Sequence, residues 1–226
     1  MAVIISRLMT APVANRKLSD YGEGDIVKFN EGGSPVEFYI AKHNYEPGLN
    51  GAGKTLLVRK DAHSKQVWQP GWQNLNSYAV SAIDTWLNGT YKGLLDADVQ
   101  SIIGTTKFYY TPNSDNPTVT TLSRGIFLLS ATELGVVNTN VNIEGSVLPI
   151  LYWLNVHADG QWTRSPGLNT SSHRVICTSI EPSTTLGGSV IEFSITNSSE
   201  EHNVHPAFTL SGEIKFDSET NEFVGV

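Results

Sequence analysis

Two short motifs, each combining an aromatic ring with a proline, constrain the fold of this chain more than any other stretch. They read Trp162-Thr163-Arg164-Ser165-Pro166 and His205-Pro206-Ala207-Phe208. Proline fixes φ and has no backbone N–H, so each motif must lie where a strand ends or turns. We therefore expect Trp162 and Phe208 to end neighbouring strands and to form two walls of one core.

Arg164, which lies between Trp162 and Pro166, has two roles open to it. A guanidinium can serve as a fixed functional cation, or it can hold loop carbonyls and stack on an aromatic ring. We favour the second role, because an arginine inside a core motif more commonly supports the architecture than the chemistry.

The segment between the two motifs, residues 167–204, is polar and rich in Gly, Ser, Thr and Asn. Such a composition is typical of surface loops carried on a rigid frame. We predict that these loops supply a surface-contact set, which comprises Asn169, His173, Asn197, Glu201, His202 and Asn203.

Metal and thiol chemistry have few candidate residues in this chain. His202 and His205, three residues apart beside acidic residues, could bind zinc, but no second cluster follows at zinc-ligand spacing. We interpret them as solvated side chains and predict no cofactor. Cys177, the single cysteine, excludes an intrachain disulfide, and its β-branched surroundings predict a buried strand thiol rather than a nucleophile. Paired carboxylates for glycoside hydrolysis stay open, because their separation is spatial.

The balance of charges argues against polyanionic partners. Asp and Glu outnumber Lys and Arg by 22 to 15, which gives a net charge of -7. Binding nucleic acid or an anionic membrane needs clustered basic side chains, so we predict neither nucleic-acid binding nor membrane insertion. No apolar run approaches the roughly 20 residues of a membrane span. The apolar start, residues 1–5, is too short for a secretory signal, which predicts synthesis in a cytoplasm without a signal peptide.

The stretch Gly48-Leu49-Asn50-Gly51-Ala52-Gly53-Lys54-Thr55 matches the phosphate-loop pattern. In that pattern, backbone amides surround the phosphates, and a long helix must begin where the pattern ends. Here a short apolar run follows Thr55 and soon gives way to Trp68, so we predict a glycine-rich connection that ends in a strand. Nucleotide binding is the alternative.

Short elements are expected throughout, since the chain contains 20 Gly and 10 Pro. Alternation predicts a hairpin over residues 25–41. Helical spacing predicts a helix over residues 77–87, capped by Ser77, and a shorter one from Asp96. The predicted inner face of the first helix comprises Val80, Ile83, Trp86 and Leu87. We predict an α+β fold with two to three short helices and long loops.

Ser130-Ala131-Thr132-Glu133 reads as a capping box after a predicted strand. In such a box the serine hydroxyl and the glutamate carboxylate each bind the other residue's backbone N–H at a helix start. We favour this role for Glu133 over that of a catalytic acid.

Residues 1–17 read as an N-terminal arm, and residues 18–226 as a single α+β domain. The arm begins with five apolar residues and then carries basic side chains, with no partner pattern nearby. An isolated terminus of this kind needs an external contact to become ordered. We predict that the arm contacts a neighbouring copy.

Several loose motifs follow one another over about residues 18–212. They are Val36-Glu37-Phe38-Tyr39-Ile40-Ala41-Lys42-His43, Thr55-Leu56-Leu57-Val58-Arg59-Lys60-Asp61, Ser81-Ala82-Ile83-Asp84-Thr85-Trp86-Leu87-Asn88, Ile126-Phe127-Leu128-Leu129-Ser130-Ala131-Thr132-Glu133-Leu134-Gly135, Trp162-Thr163-Arg164-Ser165-Pro166 and Pro206-Ala207-Phe208. Their order resembles a domain family of unknown function that is common in phages and gut Firmicutes, often among tail and surface genes. That family is similar in turn to the C-type-lectin-like fold of formylglycine-generating enzymes and phage receptor-binding proteins. The formylglycine enzymes work through cysteine, and Cys177 alone does not carry that activity over.

This resemblance implies a non-enzymatic component of a bacteriophage virion, a tail, baseplate or capsid-decorating subunit made in the host bacterial cytoplasm. It implies other virion subunits as partners, a homo-oligomer, and a host-surface glycan or protein as a further contact. Two alternatives remain open. One is a bacterial surface module that binds carbohydrate or protein, and the other is an enzyme that hydrolyses nucleotides or cell wall.

Overall fold

The computed structural model describes residues 15–71, 76–150, 160–168, 174–183 and 188–225. This part of the chain is mostly β-sheet with a few short helices, in agreement with the predicted α+β class. Its α-helices are α1 (Pro47–Asn50), α2 (Ala82–Trp86) and α3 (Ala97–Ile102). Further helical turns are of the 3-10 type at Leu18–Asp20, Tyr78–Val80 and Lys92–Leu94, and of the π type at Leu87–Tyr91.

The first sheet has five strands, and each pairs antiparallel with its neighbours. In spatial order they are β2 (Ile26–Glu31), β3 (Ser34–Lys42), β4 (Lys54–Arg59), β13 (Ala207–Ser211) and β8 (Ile126–Phe127). Strands β2 and β3 form the predicted hairpin. Its two-residue turn, Gly32-Gly33, has φ of +60° and +80°, which glycine adopts without strain and which suits the twist of a tight hairpin.

The second sheet also has five strands, with the long hairpin of β10 and β11 at one side. In spatial order they are β11 (Gly188–Asn197), β10 (Arg174–Ser183), β9 (Gln161–Pro166), β12 (Glu201–Asn203) and β5 (Lys65–Val67). Strand β12 runs parallel to β9, and the other neighbours pair antiparallel. Two small sheets join β1 (Asn15–Lys17) to β14 (Lys215–Asp217) and β6 (Thr106–Tyr110) to β7 (Thr120–Arg124).

The core lies against the middle of the first sheet. Residues Thr55 to Val58 of β4 are buried on both faces of the strand, as expected for a central strand covered on two sides. Phe208 of β13 packs with Phe29 and Phe38 at ring-centroid distances of 5.7 and 5.3 Å. Trp162 of β9 is 2% exposed and belongs to the same hydrophobic cluster. The prediction that Trp162 and Phe208 share one core is therefore confirmed.

The two motifs nevertheless belong to different sheets rather than to neighbouring strands. Pro166 is the last residue of β9, and Pro206 directly precedes β13, so each proline marks a strand end as predicted. Strand β13 pairs with β4 and β8, whereas β9 pairs with β10 and β12. Sequence spacing cannot distinguish strands that are hydrogen-bonded neighbours from strands that face each other across a core.

The prediction of surface loops over residues 167–204 was wrong for most of the segment. Two ten-residue strands, β10 and β11, pair from Arg174↔Asn197 to Ser183↔Gly188. Ser and Thr alternate there with β-branched apolar residues, and Thr has high strand propensity, so a polar composition is compatible with a hairpin whose outer strand faces solvent.

The helix predicted over residues 77–87 is shorter and begins later. A 3-10 turn at Tyr78–Val80 precedes α2, and the hydroxyl of Ser81, not Ser77, accepts the Asp84 N–H at 3.2 Å as the N-cap. The 3-10 turn rotates the periodic face, so Val80 is 61% exposed, whereas Ile83 and Leu87 are buried as predicted. At α3, Asp96 holds the N-cap position, but its carboxylate accepts from the Asn30 side chain instead of capping.

Two asparagine side chains close strand edges. The Asn50 amide accepts from Lys107 N–H and donates to Lys107 C=O, both at 2.8 Å, at the outer edge of β6. The Asn88 amide does the same for Ile126 of β8, at 3.0 and 2.9 Å. A side-chain amide has the same donor and acceptor as a peptide group, so it can replace one residue of a missing strand.

The C-terminal segment covers a third edge. Lys28 of β2 donates its N–H to Asn221 C=O at 2.8 Å and accepts from Phe223 N–H at 3.0 Å. The stretch Gly212-Glu213-Ile214-Lys215-Phe216 begins a closing hairpin, because β14 pairs with the segment that follows it as well as with β1. Phe216 forms an antiparallel bridge with Phe223, and Val224 N–H donates to Lys215 C=O at 3.3 Å.

Truncating either organising aromatic should destabilise the protein strongly. We expect Trp162→Ala and Phe208→Ala each to lower the free energy of unfolding by about 3–5 kcal/mol, because each leaves a cavity in a buried cluster. Urea denaturation measures this loss. The control is Val80→Ala, which should change the free energy by less than about 0.5 kcal/mol because Val80 is exposed. A loss under roughly 1 kcal/mol for Phe208→Ala would contradict its place in the core.

Candidate functional site

The guanidinium of Arg164 lies at the centre of a buried polar cluster. Arg164, on β9, is 0% exposed, and one terminal nitrogen donates to the carboxylate of Glu133 at 2.7 Å. Its Cζ lies 4.6 Å from the centroid of the Phe108 ring. The guanidinium also donates to the backbone carbonyls of Tyr109, Leu128 and Glu144, at 3.0, 2.9 and 3.3 Å. The predicted architectural role, which combined loop carbonyls and an aromatic ring, is confirmed.

Glu133 is held by the predicted capping box, but the box closes a turn rather than a helix. Ser130 N–H donates to Glu133 Oε2 at 2.8 Å, and Glu133 N–H donates to Ser130 Oγ at 3.1 Å. The chain turns over residues 131–135 and stops at Gly135, whose φ of +84° ends the helical geometry after one turn. The helix start predicted there was therefore wrong, while the reciprocal bonds were correct.

A second carboxylate, that of Glu144, completes the cluster. Its Oε1 accepts Thr111 N–H and its Oε2 accepts the Ser165 hydroxyl, both at 2.6 Å. Burial raises the pKa of Glu144, and the nearby guanidinium of Arg164 and these hydrogen bonds oppose the shift. Sequence reasoning missed Glu144, because it lies eleven residues after Glu133 on a long loop with no local signature.

This cluster is arranged for support rather than for catalysis. A general acid must reach the substrate, but Glu133 is 0% exposed and both of its oxygens are bound, Oε1 by the Tyr45 hydroxyl at 2.5 Å. Burial raises the pKa of Tyr45 well above its ordinary value, so the phenol stays a donor. Together these side chains connect β9, β6, the turn after β8 and the segment before α1.

In the stretch that matches the phosphate-loop pattern, residues 48–55, the polar groups form hydrogen bonds within the fold. Lys54 and Thr55 begin strand β4, so the strand predicted after the glycines is confirmed. Gly53 N–H donates to the Asn44 side chain at 2.9 Å, and Lys54 Nζ donates to Thr105 C=O. The Thr55 hydroxyl is buried and contacts His43 Nδ1 at 2.9 Å. The amide, ammonium and hydroxyl that a phosphate would need are all bound internally.

A second polar cluster, around Glu31, was not predicted from the sequence. Arg59 binds both oxygens of Glu31, at 3.1 and 3.2 Å, and the Tyr91 hydroxyl donates to it at 2.8 Å. His63 packs edge-on against Trp86 and Tyr91 at centroid distances of 5.3 and 5.1 Å, and burial lowers the pKa of His63. Trp86 and Tyr91 are five residues apart, a spacing that shares a face only because a π-type turn follows α2.

The structure places the members of the predicted surface-contact set in different environments. Asn169 and His173 lie outside the described residues. Asn197 ends β11 and donates to the Glu200 carboxylate at 3.0 Å, and Glu201 is exposed on β12. Asn203 is buried, at 8% exposed, so it does not belong to a surface set.

The prediction that His202 and His205 are solvated side chains was wrong for His205, which is 3% exposed, and both rings contact the fold. The ring of His202 packs edge-on against Trp162 at 4.6 Å, and His205 Nδ1 lies 3.0 Å from Arg59 C=O. Within the described residues, no group of three or more His, Cys, Asp or Glu side chains could hold a metal ion. Cys177, on β10, is buried as predicted, and burial raises its pKa to about 12, which leaves the thiol protonated at neutral pH.

Comparison with known proteins identifies a family but no function. A family model described as "Domain of unknown function (DUF6273)" matches residues 52–212, which is well over half of the chain. Searches of curated proteins and of solved structures found no match. Among the described helices, none has the length and apolar character that crossing a membrane requires.

We expect the loop at residues 48–55 to bind no nucleotide, because its phosphate-binding groups are already hydrogen-bonded within the fold. Equilibrium titration with labelled ATP and GTP in the presence of magnesium should show no binding at physiological concentrations. Lys54→Ala is the matched variant. Micromolar binding that Lys54→Ala abolishes would overturn this interpretation.

Two glutamates should affect the pH dependence of stability in opposite directions. Burial raises the pKa of Glu144 above 4.5, so its stabilising contribution is full at low pH and declines as the pH rises through the folded pKa. A hydrogen bond from Thr196 lowers the pKa of Glu200. The stabilising contribution of Glu200 is therefore full above pH 4.5 and declines as the pH falls through the folded pKa. We expect Glu144→Gln to remove the first decline and Glu200→Gln the second.

Urea denaturation at a series of pH values measures both effects. The two variants are matched controls, because each removes one carboxylate and keeps the side-chain shape. Profiles that both run parallel to that of the wild type would show that neither carboxyl group has a shifted pKa.

Proposed function

The chain belongs to the DUF6273 family of domains of unknown function, and from its own residues we propose that it is a structural subunit of a bacteriophage virion. In this proposal it is a non-enzymatic tail, baseplate or capsid-decorating protein with a C-type-lectin-like domain. It assembles as a homo-oligomer with other virion subunits and contacts a glycan or protein on the host surface.

The observation that carries the assembly role is the anchoring of β1. Strand β1 pairs with β14 from Asn15↔Asp217 to Lys17↔Lys215. The Arg16 guanidinium lies 3.9 Å from the centroid of the Tyr21 ring, and Lys17 forms an ion pair with Glu213 at 2.6 Å. The apolar start of the chain is therefore attached to a strand whose position is fixed. Packing that start on a neighbour would remove apolar area from water at about 25 cal/mol per Å².

The buried ionisable groups support a structural rather than a chemical role. Arg164, Glu133, Glu144 and Tyr45 are fully buried, and they bind one another or the backbone. A rigid frame of this kind suits a subunit that must keep its shape while loops and termini make the contacts.

Exposed apolar side chains favour contact with another surface. On the loop between β8 and β9, Val137, Ile143 and Val147 are 74%, 72% and 46% exposed. Ile143 also lines a depression of about 390 Å³, whose other lining residues are Glu46, Tyr109, Val119, Gly145 and Ser146. Weak contacts of this kind gain strength when many copies act together, as on a virion surface.

The alternative is a bacterial surface module that binds carbohydrate or protein. The same depression favours it, since an aromatic ring, a carboxylate and a hydroxyl are the groups that hold a sugar or a peptide side chain. Such a module would bind its ligand as a monomer, whereas the virion subunit requires self-assembly.

Removing residues 1–14 should leave a folded domain that has lost the assembly made through the arm. We end the deletion before β1 because Asn15–Lys17 pair with β14. Light scattering should show a smaller particle than the wild type, and thermal melting should show a retained cooperative transition, because the core cluster lies entirely within residues 18–216.

The matched variant keeps the length of the arm and changes only its polarity. We expect Val3→Ser, Ile4→Ser and Ile5→Ser together to prevent assembly as the deletion does, since the apolar side chains supply the contact. An unchanged oligomer in both proteins, or a truncated domain that fails to fold, would contradict the proposed role of the arm.

A further inference from the structure

Strand β11 is the outermost strand of the second sheet, and no described strand pairs with its outer edge. It pairs with β10 along all ten of its residues, which extends the edge over about 33 Å at 3.3 Å per residue. The outer edge of a strand presents backbone N–H and C=O groups to any chain that can align with them.

The other edges of the two five-stranded sheets are covered or short. The outer edge of β2 is hydrogen-bonded to the segment around Asn221 and Phe223, and that of β8 to the side chain of Asn88. At the far side of the second sheet, β5 has only three residues. Within the described part of the chain, the outer edge of β11 is therefore the one edge of these two sheets that is both long and uncovered.

The sequence of β11 lacks the usual devices that prevent edge pairing. Natural edge strands carry lysines, prolines or inward-pointing charges that stop another strand from aligning. The segment Gly188-Ser189-Val190-Ile191-Glu192-Phe193-Ser194-Ile195-Thr196-Asn197 contains one charged residue and neither lysine nor proline. Its composition therefore permits pairing with a further strand.

The middle of β11 is exposed on both faces. Glu192, Phe193 and Ser194 are consecutive and all exposed, although successive side chains of a strand point to opposite faces. Phe193 is 38% exposed, a large apolar side chain with room for a neighbour. The middle of β11, at residues 192–194, is therefore open to a neighbouring strand.

We propose that β11 of one copy pairs antiparallel with β11 of a second copy, about a two-fold axis close to Phe193. This places the two Phe193 rings beside each other and sets Glu192 opposite Ser194, so that no like charges oppose one another. The two five-stranded sheets become one ten-stranded sheet, and the contact is identical from both sides, as a two-fold axis requires.

A second copy fits this edge better than an unrelated strand does. Self-pairing aligns the same apolar and Ser/Thr pattern on both strands, so the side chains on each face match without a separate partner sequence. The inference rests on the proposed homo-oligomer and adds the surface through which two copies meet.

Site-specific cross-linking tests the pairing directly. In a Cys177→Ala background, Phe193→Cys should form a disulfide-linked dimer under mild oxidation, because residues on the axis face each other across the antiparallel pair. Ser218→Cys, at an exposed position in the turn after β14, is the control and should not cross-link. Circular dichroism confirms that both variants are folded.

A charge substitution tests the contact without new cysteines. Phe193→Lys places two like charges beside the axis and should weaken dimerisation by roughly tenfold or more in sedimentation experiments. Val80→Lys makes the same change at a residue that is 61% exposed and away from β11, and it should leave dimerisation unchanged.

The outcomes separate this inference from the proposed function. If Phe193→Cys does not cross-link and Phe193→Lys assembles normally, while removing residues 1–14 dissociates the oligomer, the pairing is wrong and the arm-mediated assembly stands. If Phe193→Cys cross-links and the deletion reduces the oligomer to a dimer, both contacts are present. If Phe193→Cys cross-links and the deletion has no effect, the β11 pairing stands and the arm-mediated assembly is wrong. A wild-type protein that is monomeric at every concentration contradicts both.

Discussion

The buried ion pair of Arg164 and Glu133 is the interaction on which the rest of the structure depends. Removing either partner would leave a charge without compensation in a region that water does not reach, and such losses cost about 3–5 kcal/mol. The same guanidinium binds three carbonyls from separate parts of the chain. A residue with five fixed donors can thus define the positions of several loops at once, which a hydrophobic residue of equal volume cannot do. The long segment between β8 and β9 has little regular secondary structure in its described part, so it relies on these bonds for its path.

Sequence reasoning recovered the features that depend on a few adjacent residues. The box of Ser130 and Glu133 could be predicted from their spacing of three residues. The position of Pro166 and Pro206 at strand ends could be predicted because proline has no backbone N–H. The strand after the glycines at residues 48–53 follows from the absence of a helical pattern. These signals are local, so the surrounding fold does not alter them.

Features that depend on distant residues could not be predicted. Glu144 reaches Arg164 only because a loop folds back, and Glu31 meets Arg59, His63 and Tyr91 across a sheet and a π-type turn. The polar composition of residues 167–204 led to a wrong prediction of loops, because Ser and Thr are as compatible with an exposed strand as with a loop. Helical periodicity wrongly placed Val80 on the inner face of a helix, since one 3-10 turn was enough to rotate that side chain into solvent.

The arrangement around β14 has a consequence for how this domain connects to other sequences. Strand β14 lies between β1 and the segment near Phe223, with Arg16 and Phe223 both opposite Phe216. Two strand spacings separate those residues, or about 10 Å. A few added residues could therefore join the two ends of the described chain, so circular permutation should preserve the fold. For the same reason the domain could be inserted into an exposed loop of another protein, entering and leaving it at one point.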